Sequence, residues 1–514
     1  SPLGAEGSAW MWQIAGKVSV KNLKTVIKLH DLTGFDGRCD AIYFTTEVGK
    51  MPPSDVKELE AFRRQALGLP DEAPVAGEYD LVVVGAGIAG MSAAVSAARL
   101  GCRVALINDR PVVGGNNSSE IRVHLGGRIE EGTYKELGGL QKEFGPEKGG
   151  NAQPAEYYED QKKMDWLAGE KNVSLFLNFR AIGVTKEGDK ITSVIVKHIE
   201  SGKELKFEAP LFSDCTGDGT IGYLAGADYR MGREGRDEYG ESIAPEKADK
   251  LTMGSSVQWY SVDNKKSSPL PEFSYGVEFN DKNCEKVMMG EWTWETGMNF
   301  DQIKDFERIR DYGMLVVYSN WSYLKNRMKE NDQYKNRKLG WVAYVAGKRE
   351  SRRLMGDYIL KEDDITKNVS HEDASFATTW SIDLHWQDPK NSEHFPGNEF
   401  KAVTKHILIH PYAVPYRCLY SRNVENLFMA GRNISVTHVA LGTVRVMRTT
   451  GMMGEVVGMA ASLCKKYDVT PRGVYRSHLE DLKTLMKEGV NKKGLPNNQR
   501  YNEGGMLKDK PVVQ

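Results

Sequence analysis

The stretch YDLVVVGAGIAGMSAAVSAARLG, residues 79–101, decides the fold of this chain. Within it, Leu81 to Val84 form an uninterrupted apolar run, which is typical of a parallel strand buried on both faces. Gly85, Gly87 and Gly90 follow in the pattern G-x-G-x-x-G. In that pattern the first glycine permits a tight turn, the second lets the backbone approach a pyrophosphate, and the third lets the helix pack closely against the strand.

The residues after the glycines complete a dinucleotide-binding unit. Small side chains from Met91 to Leu100 predict a helix, and Gly101 ends it as a C-terminal cap residue does. Arg103 to Ile107 then predict a second strand. Because strand, glycines, helix and strand arrive in this order, the sequence predicts a nucleotide site here.

The composition excludes several other classes of partner. At 514 residues the chain is long enough for two or three domains of about 150 residues each. Lysines and arginines number 69 against 70 aspartates and glutamates, a formal net charge of -1. No global field therefore favours nucleic acid or an anionic membrane, and we expect a small-molecule ligand.

Cysteine spacing and hydropathy add further expectations. No two cysteines have the C-x-x-C spacing of a redox disulfide or a zinc site, so we predict no metal site. No apolar run reaches the roughly 18 residues of a membrane helix. The chain begins with Ser1 rather than Met, so a removed leader would make the protein periplasmic or exported, and the compartment stays open. The sequence does not set the oligomeric state.

The organisation along the chain changes in composition from part to part. Residues 1 to about 48 alternate polar and apolar side chains as strands do, with a turn predicted at Asp36-Gly37. Ser54 is predicted to cap a helix that runs to about Gly68. Most tryptophans lie between about 230 and 400 without a clean period, which favours an inserted domain. The predicted parts are a β-rich segment and linker (1–76), the first part of a nucleotide-binding domain (77–230), an inserted substrate domain (231–400), the second part of the nucleotide-binding domain (401–465) and a helical, polar tail (466–514).

The end of the second predicted strand bears on which nucleotide binds. A nucleotide site of this kind usually has an acidic residue about 20 positions past the glycines to hold a ribose hydroxyl. Asn108 stands at that position and Asp109 follows it, so either side chain could hold the ribose, while Arg110 could reach a phosphate or stack on adenine. A second glycine pair, in the phrase PVVGGNNSSE, comes directly after.

Four phrases together, GAGIAG, DRPVVGGN, DCTGDGTIGYLAGA and NLFMAGRNIS, resemble a known family. They resemble FAD-dependent oxidoreductases of the glutathione-reductase-like superfamily, and more closely the FAD oxidoreductases common in bacterial polysaccharide-utilisation gene sets. The likeness covers residues from roughly 77 to 230 and from 400 to 465. It implies an α/β fold, a Rossmann-like FAD-binding domain with an inserted α+β substrate domain, and FAD held without a covalent bond.

The resemblance also implies which residues contact FAD. In order along the cofactor these are Gly85, Gly87, Ile88, Ala89 and Gly90 at the pyrophosphate; Asn108, Asp109 and Arg110 at the adenosine; Gly114, Gly115, Asn116, Ser118 and Ser119 at the ribityl chain or flavin; Ala181 at the adenine; Thr216, Gly217, Asp218, Gly431 and Arg432 in the two remaining motifs; and Gly442, Thr443 and Val444 at a helix opening toward the flavin. Two positions depart from the family pattern. The last motif usually ends in Asp where this chain has Arg432, and the usual acid of the second strand is Asn108.

A second glycine pattern, GDGTIG at 217–222, has an alternative interpretation. It also follows a predicted strand, so it could mark a separate NADPH site. The residues after it show no second strand ending in a ribose-binding acid. We therefore expect it to belong to the FAD side.

Three residues are the predicted catalytic groups. His438 lies four positions before Gly442, where a neutral imidazole could take a proton from a substrate hydroxyl as a hydride leaves. Arg445 would favour negative charge on a reduced flavin. His385, beside a tryptophan, is a weaker candidate of the same kind as His438, and so is His410. The alternatives are a buried, hydrogen-bonded histidine and a solvated pair of arginines, Arg445 with Arg448.

These observations predict an FAD-dependent dehydrogenase or oxidase that takes a hydride from a small polar substrate. The tryptophans favour a carbohydrate, because flat rings stack on the apolar faces of sugars, although most tryptophans are core residues. Two alternatives remain open at this point. One is a flavin-dependent hydroxylase that uses NAD(P)H and oxygen, and the other is a non-catalytic glycan-binding protein on a Rossmann-like scaffold.

Overall fold

The computed structural model describes residues 3, 10–30, 39–272 and 275–497. They belong to two compact units, Ser1–Pro74 and Val75–Gln514. The helices are α1 (Val56–Ala66), α2 (Ile88–Arg99), α3 (Leu140–Phe144), α4 (Asp160–Ala168), α5 (Thr220–Leu224), α6 (Arg236–Tyr239), α7 (Phe306–Asn326), α8 (Asp332–Lys335), α9 (Glu362–Thr366), α10 (Pro389–His394), α11 (His438–Val444), α12 (Met447–Tyr467), α13 (Pro471–Ser477) and α14 (Leu479–Glu488), with 3-10 turns at Ala155–Tyr158 and Tyr416–Cys418. The strands are β1 (Val75–Glu78), β2 (Leu81–Val84), β3 (Val104–Ile107), β4 (Val173–Phe176), β5 (Phe179–Glu187), β6 (Lys190–His198), β7 (Glu204–Glu208), β8 (Leu211–Asp214), β9 (Tyr229–Arg230), β10 (Ser255–Ser256), β11 (Trp259–Asp263), β12 (Met289–Gly290), β13 (Glu295–Thr296), β14 (Arg337–Val342), β15 (Gly347–Lys348), β16 (Arg353–Leu354), β17 (Ala374–Ala377), β18 (Ile382–Gln387), β19 (Ala402–Ile407), β20 (Ala413–Pro415) and β21 (Leu427–Met429).

The first unit contains one helix and, in its described residues, no strand. Helix α1 begins one residue later than predicted, because the Asp55 carboxylate accepts from the backbone N–H of Lys57 and Glu58 at 3.0 and 3.1 Å. The β-rich segment predicted for residues 1–48 is wrong for residues 10–30 and 39–48. The alternating side chains, such as Val18 and Val20, are exposed, and a strand needs a partner ladder that the described residues of this unit do not supply. The predicted turn at Asp36-Gly37 lies outside the described residues.

The second unit is built on the predicted parallel sheet. Five strands lie in the order β21-β8-β2-β3-β4, and β2 pairs in parallel with both β3 and β8. All four residues of β2 and of β3 are buried, because helices cover the sheet as they do in doubly wound folds. The mixed α/β, Rossmann-like architecture is confirmed. A second sheet has the strand order β1-β7-β6-β5. In the sequence, β5, β6 and β7 come between β4 and β8, whereas β1 comes before β2.

Helices α2 and α12 pack against each other along a seam of small residues. A Cβ on Gly454 would lie 2.1 Å from the carbonyl oxygen of Ala89, and one on Gly458 would lie 2.5 Å from the Cβ of Ser96. The Ser96 hydroxyl donates to the carbonyl oxygen of Glu455 at 2.8 Å. These glycines allow the long helix near the C-terminus to hold the helix that follows the glycine loop.

A second hydrophobic core lies wholly within residues 257–400. Trp259, Trp294 and Trp321 are buried in it, with the ring centroids of Trp259 and Trp321 5.7 Å apart. These tryptophans are core residues rather than an exposed platform. A separate core agrees with a substrate domain in this stretch, whose boundaries at 231 and 400 stay a prediction.

The C-terminal part is helical up to Glu488, where α14 ends. Of the helical, polar tail predicted for residues 466–514, residues 498–514 lie outside the described part of the chain. Among the helices that the structure describes, none is both long and apolar enough to span a bilayer.

Candidate functional site

The three glycines of the first loop have different surroundings. Gly85 has φ +101°, and a Cβ there would lie 2.3 Å from the carbonyl oxygen of Cys215. A Cβ on Gly90 would lie 1.8 Å from the carbonyl oxygen of Gly85. A Cβ on Gly87 would make one ordinary contact, at 3.9 Å to the Cα of Gly115, so this glycine is the least crowded of the three. The first and third glycines therefore allow packing, and the second leaves room for a ligand at the start of α2.

The second glycine pair meets the first loop. The Gly114 N–H donates to the carbonyl oxygen of Ala86 at 2.8 Å, and Gly87 and Gly114 form a parallel bridge. Gly114 and Gly115 have φ +102° and +60°, which favours glycine at both positions. Residues far apart in sequence thus form one cradle of backbone at the carboxyl end of β2.

Asn108 fixes this cradle with its side chain. Its Oδ1 accepts from the Ala86 N–H at 3.1 Å, and its Nδ2 donates to the carbonyl oxygens of Arg110 and Val112 at 3.1 and 2.9 Å. Both amide hydrogens are thus used by the backbone. Asp109 next to it is exposed, and the Arg110 guanidinium donates to the Glu120 carboxylate, with Nε at 3.0 Å.

The last strand brings a charged residue to the same place. Gly431, with φ +120°, lies beside Ala89 of the first turn of α2. Arg432 Nη2 donates to Asp218 Oδ1 at 2.9 Å, and Lys348 Nζ donates to Asp218 Oδ2 at 2.6 Å. Burial opposes the charged form of Asp218, but Lys348 and Arg432 outweigh it and hold the pKa of this carboxyl well below its usual range. Arg432, where the family pattern has an acid, is thus paired with an acid on the neighbouring loop, Asp218.

The loop after β8 is fixed from within. Thr216 Oγ1 donates to Asp214 Oδ1 at 2.7 Å and accepts from the Thr220 N–H at 3.1 Å. The Arg432 guanidinium packs over Gly217, where a Cβ would lie 2.3 Å from Nη1. The five-residue helix α5 follows, and the next strand, β9, pairs with β16 rather than with the parallel sheet. This arrangement agrees with the FAD-side interpretation of GDGTIG.

The remaining predicted cofactor residues lie in two places. Asn116 Nδ2 donates to the carbonyl oxygen of Lys348 at 3.1 Å, and the Ser119 N–H donates to the Asp160 carboxylate at 3.1 Å. Ser118 is buried. Ala181 lies on β5, opposite Val196 of β6.

His385 and Arg445 are brought together in a buried cluster of charges. His385 Nε2 lies 2.9 Å from Arg445 Nη2, and its Nδ1 contacts the Glu295 carboxylate. Arg445 Nη2 also donates to Asp383 Oδ2 at 2.9 Å, and Arg349 Nε lies 3.3 Å from Glu295 Oε1. Two arginines thus face two carboxylates around one imidazole.

The two carboxylates of this cluster stay ionised in spite of their burial. Burial opposes their charge, but Arg349 and His385 lower the pKa of Glu295. Arg445 and His385 hold the pKa of Asp383 well below its usual range.

His438 lies in a second cluster with a carboxylate partner. Its Nδ1 is 3.0 Å from both carboxylate oxygens of Glu350. Its Nε2 is buried and has no hydrogen-bond partner among the residues that the structure describes. Burial opposes the charge of Glu350, but His438 and Arg353 outweigh it and lower the pKa of this carboxyl. The imidazole is therefore fixed at one nitrogen and unpaired at the other.

One segment missed by the sequence analysis joins both clusters to the cradle. In the run KRESRR, Lys348 contacts Asp218, Arg349 contacts Glu295, and Glu350 contacts His438. Asn116 of the second glycine loop donates to the carbonyl oxygen of Lys348 in the same run. A charged hexapeptide in an otherwise apolar stretch was the available signal, but its partners lie too far along the chain to be inferred.

The predicted helix opening at Leu441 to Thr443 is wrong. Helix α11 begins at His438, where Thr437 Oγ1 accepts from the Ala440 N–H at 3.1 Å. Threonine is a much stronger N-cap than leucine, and its side chain accepts a hydrogen bond that glycine cannot accept, so the helix starts earlier. Gly442, Thr443 and Val444 lie in its last turns, and a Cβ on Gly442 would lie 2.7 Å from the Asp383 N–H nitrogen. The next helix, α12, begins at Met447, and its Arg448 N–H donates to the Gly126 carbonyl oxygen at 2.9 Å.

The alternative of solvated arginines is also wrong. The Arg445 side chain is 12% exposed and Arg448 is 1% exposed. Arg445 follows the last residue of α11, where its Nη2 reaches Asp383 on β18. Both side chains therefore belong to the interior around the site.

Aromatic rings adjoin the charged cluster. The Trp292 and His385 ring centroids lie 5.1 Å apart, and Trp380 Nε1 donates to Asp383 Oδ2 at 3.2 Å. His406 Nδ1 lies 3.7 Å from Asp383 Oδ1, whereas His410 Nδ1 is buried without a hydrogen-bond partner among the described residues. Among those residues no group of three or more His, Cys, Asp or Glu side chains could hold a metal ion.

These features define a class of protein. Two glycine loops and the start of a helix meet at the carboxyl end of a parallel sheet, which is where doubly wound folds bind dinucleotides. A family model described as FAD dependent oxidoreductase matches residues 80–486. The chain belongs to this family: it is an FAD-dependent oxidoreductase, an enzyme, and FAD is its cofactor. The non-catalytic alternative is thereby corrected.

The solved structures that match this chain are distant from it. A geranylgeranyl bacteriochlorophyll reductase-like protein from Thermoplasma acidophilum has 13% identity and a TM-score of 0.34, with 80% of this chain and 83% of that chain covered. The myxobacterial FAD-dependent halogenase CndH has 11% identity and a TM-score of 0.34, covering 80% and 79%. The aromatic hydroxylase CabE of angucycline biosynthesis has 13% identity and a TM-score of 0.35, covering 83% and 69%. A search of curated proteins finds no match.

The residues at the cradle fit FAD. A Cβ on Gly87 would make only one ordinary contact, at 3.9 Å to the Cα of Gly115, and the first N–H groups of α2 lie directly after it. A helix N-terminus with an open backbone approach suits a pyrophosphate.

Proposed function

We propose that the enzyme is a dehydrogenase or oxidase that removes a hydride from a C–O or C–N centre of a small polar substrate, a carbohydrate. The observation that carries this proposal is the His438 imidazole, fixed by Glu350 at Nδ1 and unpaired at Nε2. A histidine held in this way has its second nitrogen ready to accept a proton.

The cofactor contacts follow from the cradle. Gly87 and the first turn of α2 would hold the pyrophosphate, Gly114 to Asn116 the ribityl chain and flavin, and Ala181 the adenine. Because Asn108 uses both amide hydrogens on the backbone, we assign the ribose to Asp109. The bound FAD supplies a hydride acceptor, its N5. All proposed contacts are non-covalent, so denaturation should release the flavin intact.

The proton is handled by the protein. His438 Nε2 accepts the hydroxyl proton of the substrate while the adjacent carbon loses its hydride and the C=O bond forms. Glu350 holds the Nδ1 proton and stabilises the imidazolium. Arg445 has a buried Nε without a partner among the described residues, and this donor would bind the substrate oxygen.

The charge balance of the site supports an uncharged substrate. Around His385, Arg349 and Arg445 are matched by Glu295 and Asp383, so this cluster has no unmatched arginine to pair with a carboxylate or phosphate. Trp292 beside His385 adds an aromatic surface. Hydroxyl groups on an apolar ring face suit this combination.

The test compares two histidine variants. His438→Ala should bind FAD normally. The sugar should reduce the bound flavin about 10²- to 10⁴-fold more slowly than in the wild-type protein, the usual contribution of general base catalysis. His394→Ala is the control, because His394 is exposed at the end of α10. Anaerobic stopped-flow bleaching of the flavin is the measurement. Equal rates in His438→Ala and wild type would remove His438 from the mechanism, and flavin reduction by NAD(P)H alone would favour the hydroxylase alternative.

A further inference from the structure

A lysine that the mechanism does not use is buried beneath the second glycine loop. Lys163 lies on α4 and has no exposed surface, 0%. Its Cδ is 3.2 Å from the position of a Cβ on Gly114. An ammonium group in such a place has to be held by acceptors, because burial without them is costly.

The acceptors come from the glycine loop and from its support. Lys163 Nζ donates to the carbonyl oxygen of Asn117 at 2.7 Å and to the carbonyl oxygen of Tyr158. It also lies 3.6 Å from Asp160 Oδ1. Asp160 in turn accepts from the Ser119 N–H at 3.1 Å. Lys163 and Asp160 therefore bind two backbone groups of the loop, the Asn117 carbonyl and the Ser119 N–H.

The charged groups around Lys163 are few. Asp160 and Glu159 favour the ammonium, and Lys162 opposes it. The loop faces it with Gly114 and the neutral Asn117, and the Tyr158 hydroxyl is engaged with the carbonyl oxygens of Arg122 and Gly150 at 2.7 and 2.9 Å. Burial is the largest influence and lowers the pKa of Lys163 to about 8.

We propose that the Lys163 ammonium is a positioning group for the loop of residues 114–119, and that loss of its proton weakens FAD binding. This inference rests on the proposed assignment of that loop to FAD. The ammonium offers three strong donors, whereas the neutral amine offers two weak ones. Deprotonation therefore weakens the hydrogen bonds to the Asn117 and Tyr158 carbonyls and removes the attraction to Asp160, which loosens the loop that FAD needs in place.

The sign of the pH dependence follows. If the protonated form holds the loop for FAD, FAD binding raises the pKa of Lys163, and a proton favours the complex. The FAD affinity is then constant below about pH 8 and falls as the pH rises above it, by up to about tenfold per pH unit. Lys163 does not contact substrate, so turnover at saturating FAD should not follow this profile.

The experiment measures FAD affinity rather than activity. The full-length protein is stripped of flavin and titrated with FAD from about pH 6.5 to about pH 9.5, with flavin fluorescence as the readout. In the wild-type protein, the FAD dissociation constant should be constant up to about pH 8 and should rise above that pH. Lys163→Met should bind FAD about tenfold or more weakly at neutral pH and show no such rise. Lys162→Met is the matched control, because Lys162 bonds to the Gly145 carbonyl instead of the loop, and it should behave as wild type.

Two results overturn the proposal. The first is an FAD dissociation constant of the wild-type protein that stays constant across the whole pH range. This result needs no variant, so it tests the proposal even if Lys163→Met fails to fold. The second is a rise in the FAD dissociation constant with pH that persists in folded Lys163→Met. A different result would contradict the proposed function: a bound flavin that no sugar reduces. That result would leave the pH dependence of FAD binding unaffected.

Discussion

The glycines of the first loop show how one residue type serves two purposes. Gly90 has no room for a methyl group, since its Cβ would lie 1.8 Å from a carbonyl oxygen. Gly87 has room, with its nearest neighbour at 3.9 Å. The sequence pattern predicted these two roles, because the spacing of a tight turn is local, and the crowding at Gly90 and the room at Gly87 agree with it.

Alanine substitution should separate these roles. Gly90→Ala should destabilise the protein by about 1–3 kcal/mol, the usual cost of overpacking. Gly87→Ala should unfold like wild type but bind FAD at least about tenfold more weakly, because the methyl occupies the open approach. Gly183→Ala on β5 is the control, since its Cβ meets only ordinary contacts at 3.7 Å. Thermal unfolding of the apoprotein and FAD titration measure the two effects, and equal FAD affinity in Gly87→Ala and wild type would contradict the assignment.

Glu455 of α12 should give the folded protein a second pH dependence. Burial raises its pKa to about 8, with Glu143 acting in the same direction and the N–H groups of Gly138 and Leu140 opposing it. The folded chain therefore keeps a proton that the unfolded chain releases near its ordinary value of 4.5. Stability should fall as the pH rises from about 4.5 to about 8, by at most about 1.4 kcal/mol per pH unit from this group.

Glu455→Gln should remove that slope. The amide stays neutral and keeps the acceptor oxygen for Gly138 and Leu140, so the variant should be the more stable of the two near pH 8. Unfolding midpoints measured side by side at several pH values check this. The same pH slope in both proteins would show that Glu455 does not carry it.

At the scale of elements, the break between α11 and α12 places the site. Thr437 starts α11 early, and Arg445 follows its end, close to Asp383 of β18. The sequence predicted a helix of small residues here but placed its opening too late. Helix ends depend on which of several competing caps the tertiary structure admits, and the sequence alone did not rank Thr437 above its successors.

Gly442 should be sensitive to substitution because of this packing. A Cβ there would lie 2.7 Å from the Asp383 nitrogen, so Gly442→Ala should displace Asp383 from Arg445 and His385. We expect slower flavin reduction by substrate, by about tenfold or more, with the FAD content unchanged. Flavin content by absorbance and single-turnover reduction measure both. Full rate in a folded Gly442→Ala would show that the position of Asp383 is unimportant.

At the scale of the whole molecule, contacts of long sequence range assemble the site. Lys348 reaches Asp218 across 130 residues, and His438 reaches Glu350 across 88. The parallel sheet was predictable because its strands carry their own apolar pattern. The ion pairs were not, since a charged run such as KRESRR is compatible with many partners. The N-terminal β prediction was wrong because alternation alone cannot supply a neighbouring strand.

FAD should stabilise the molecule as a whole. The cradle joins parts of the chain from residue 85 to residue 432, so the cofactor binds the folded state and not the unfolded chain. At a free FAD concentration 100 times the dissociation constant, the gain in unfolding free energy should be about 2.7 kcal/mol. This gain is measured from the thermal unfolding midpoint of the flavin-free protein at increasing FAD concentrations. A midpoint that does not change with FAD would contradict the assignment of the cradle to FAD.

The proposed reaction has one most direct test, the anaerobic absorption spectrum of the flavin-loaded protein during titration with a panel of neutral sugars and polyols. We predict that at least one of them bleaches the oxidised flavin band, that the product carries a new carbonyl group, and that His438→Ala slows the bleaching. A flavin that no neutral sugar or polyol reduces, but that NADH or NADPH does, would contradict a carbohydrate dehydrogenase or oxidase.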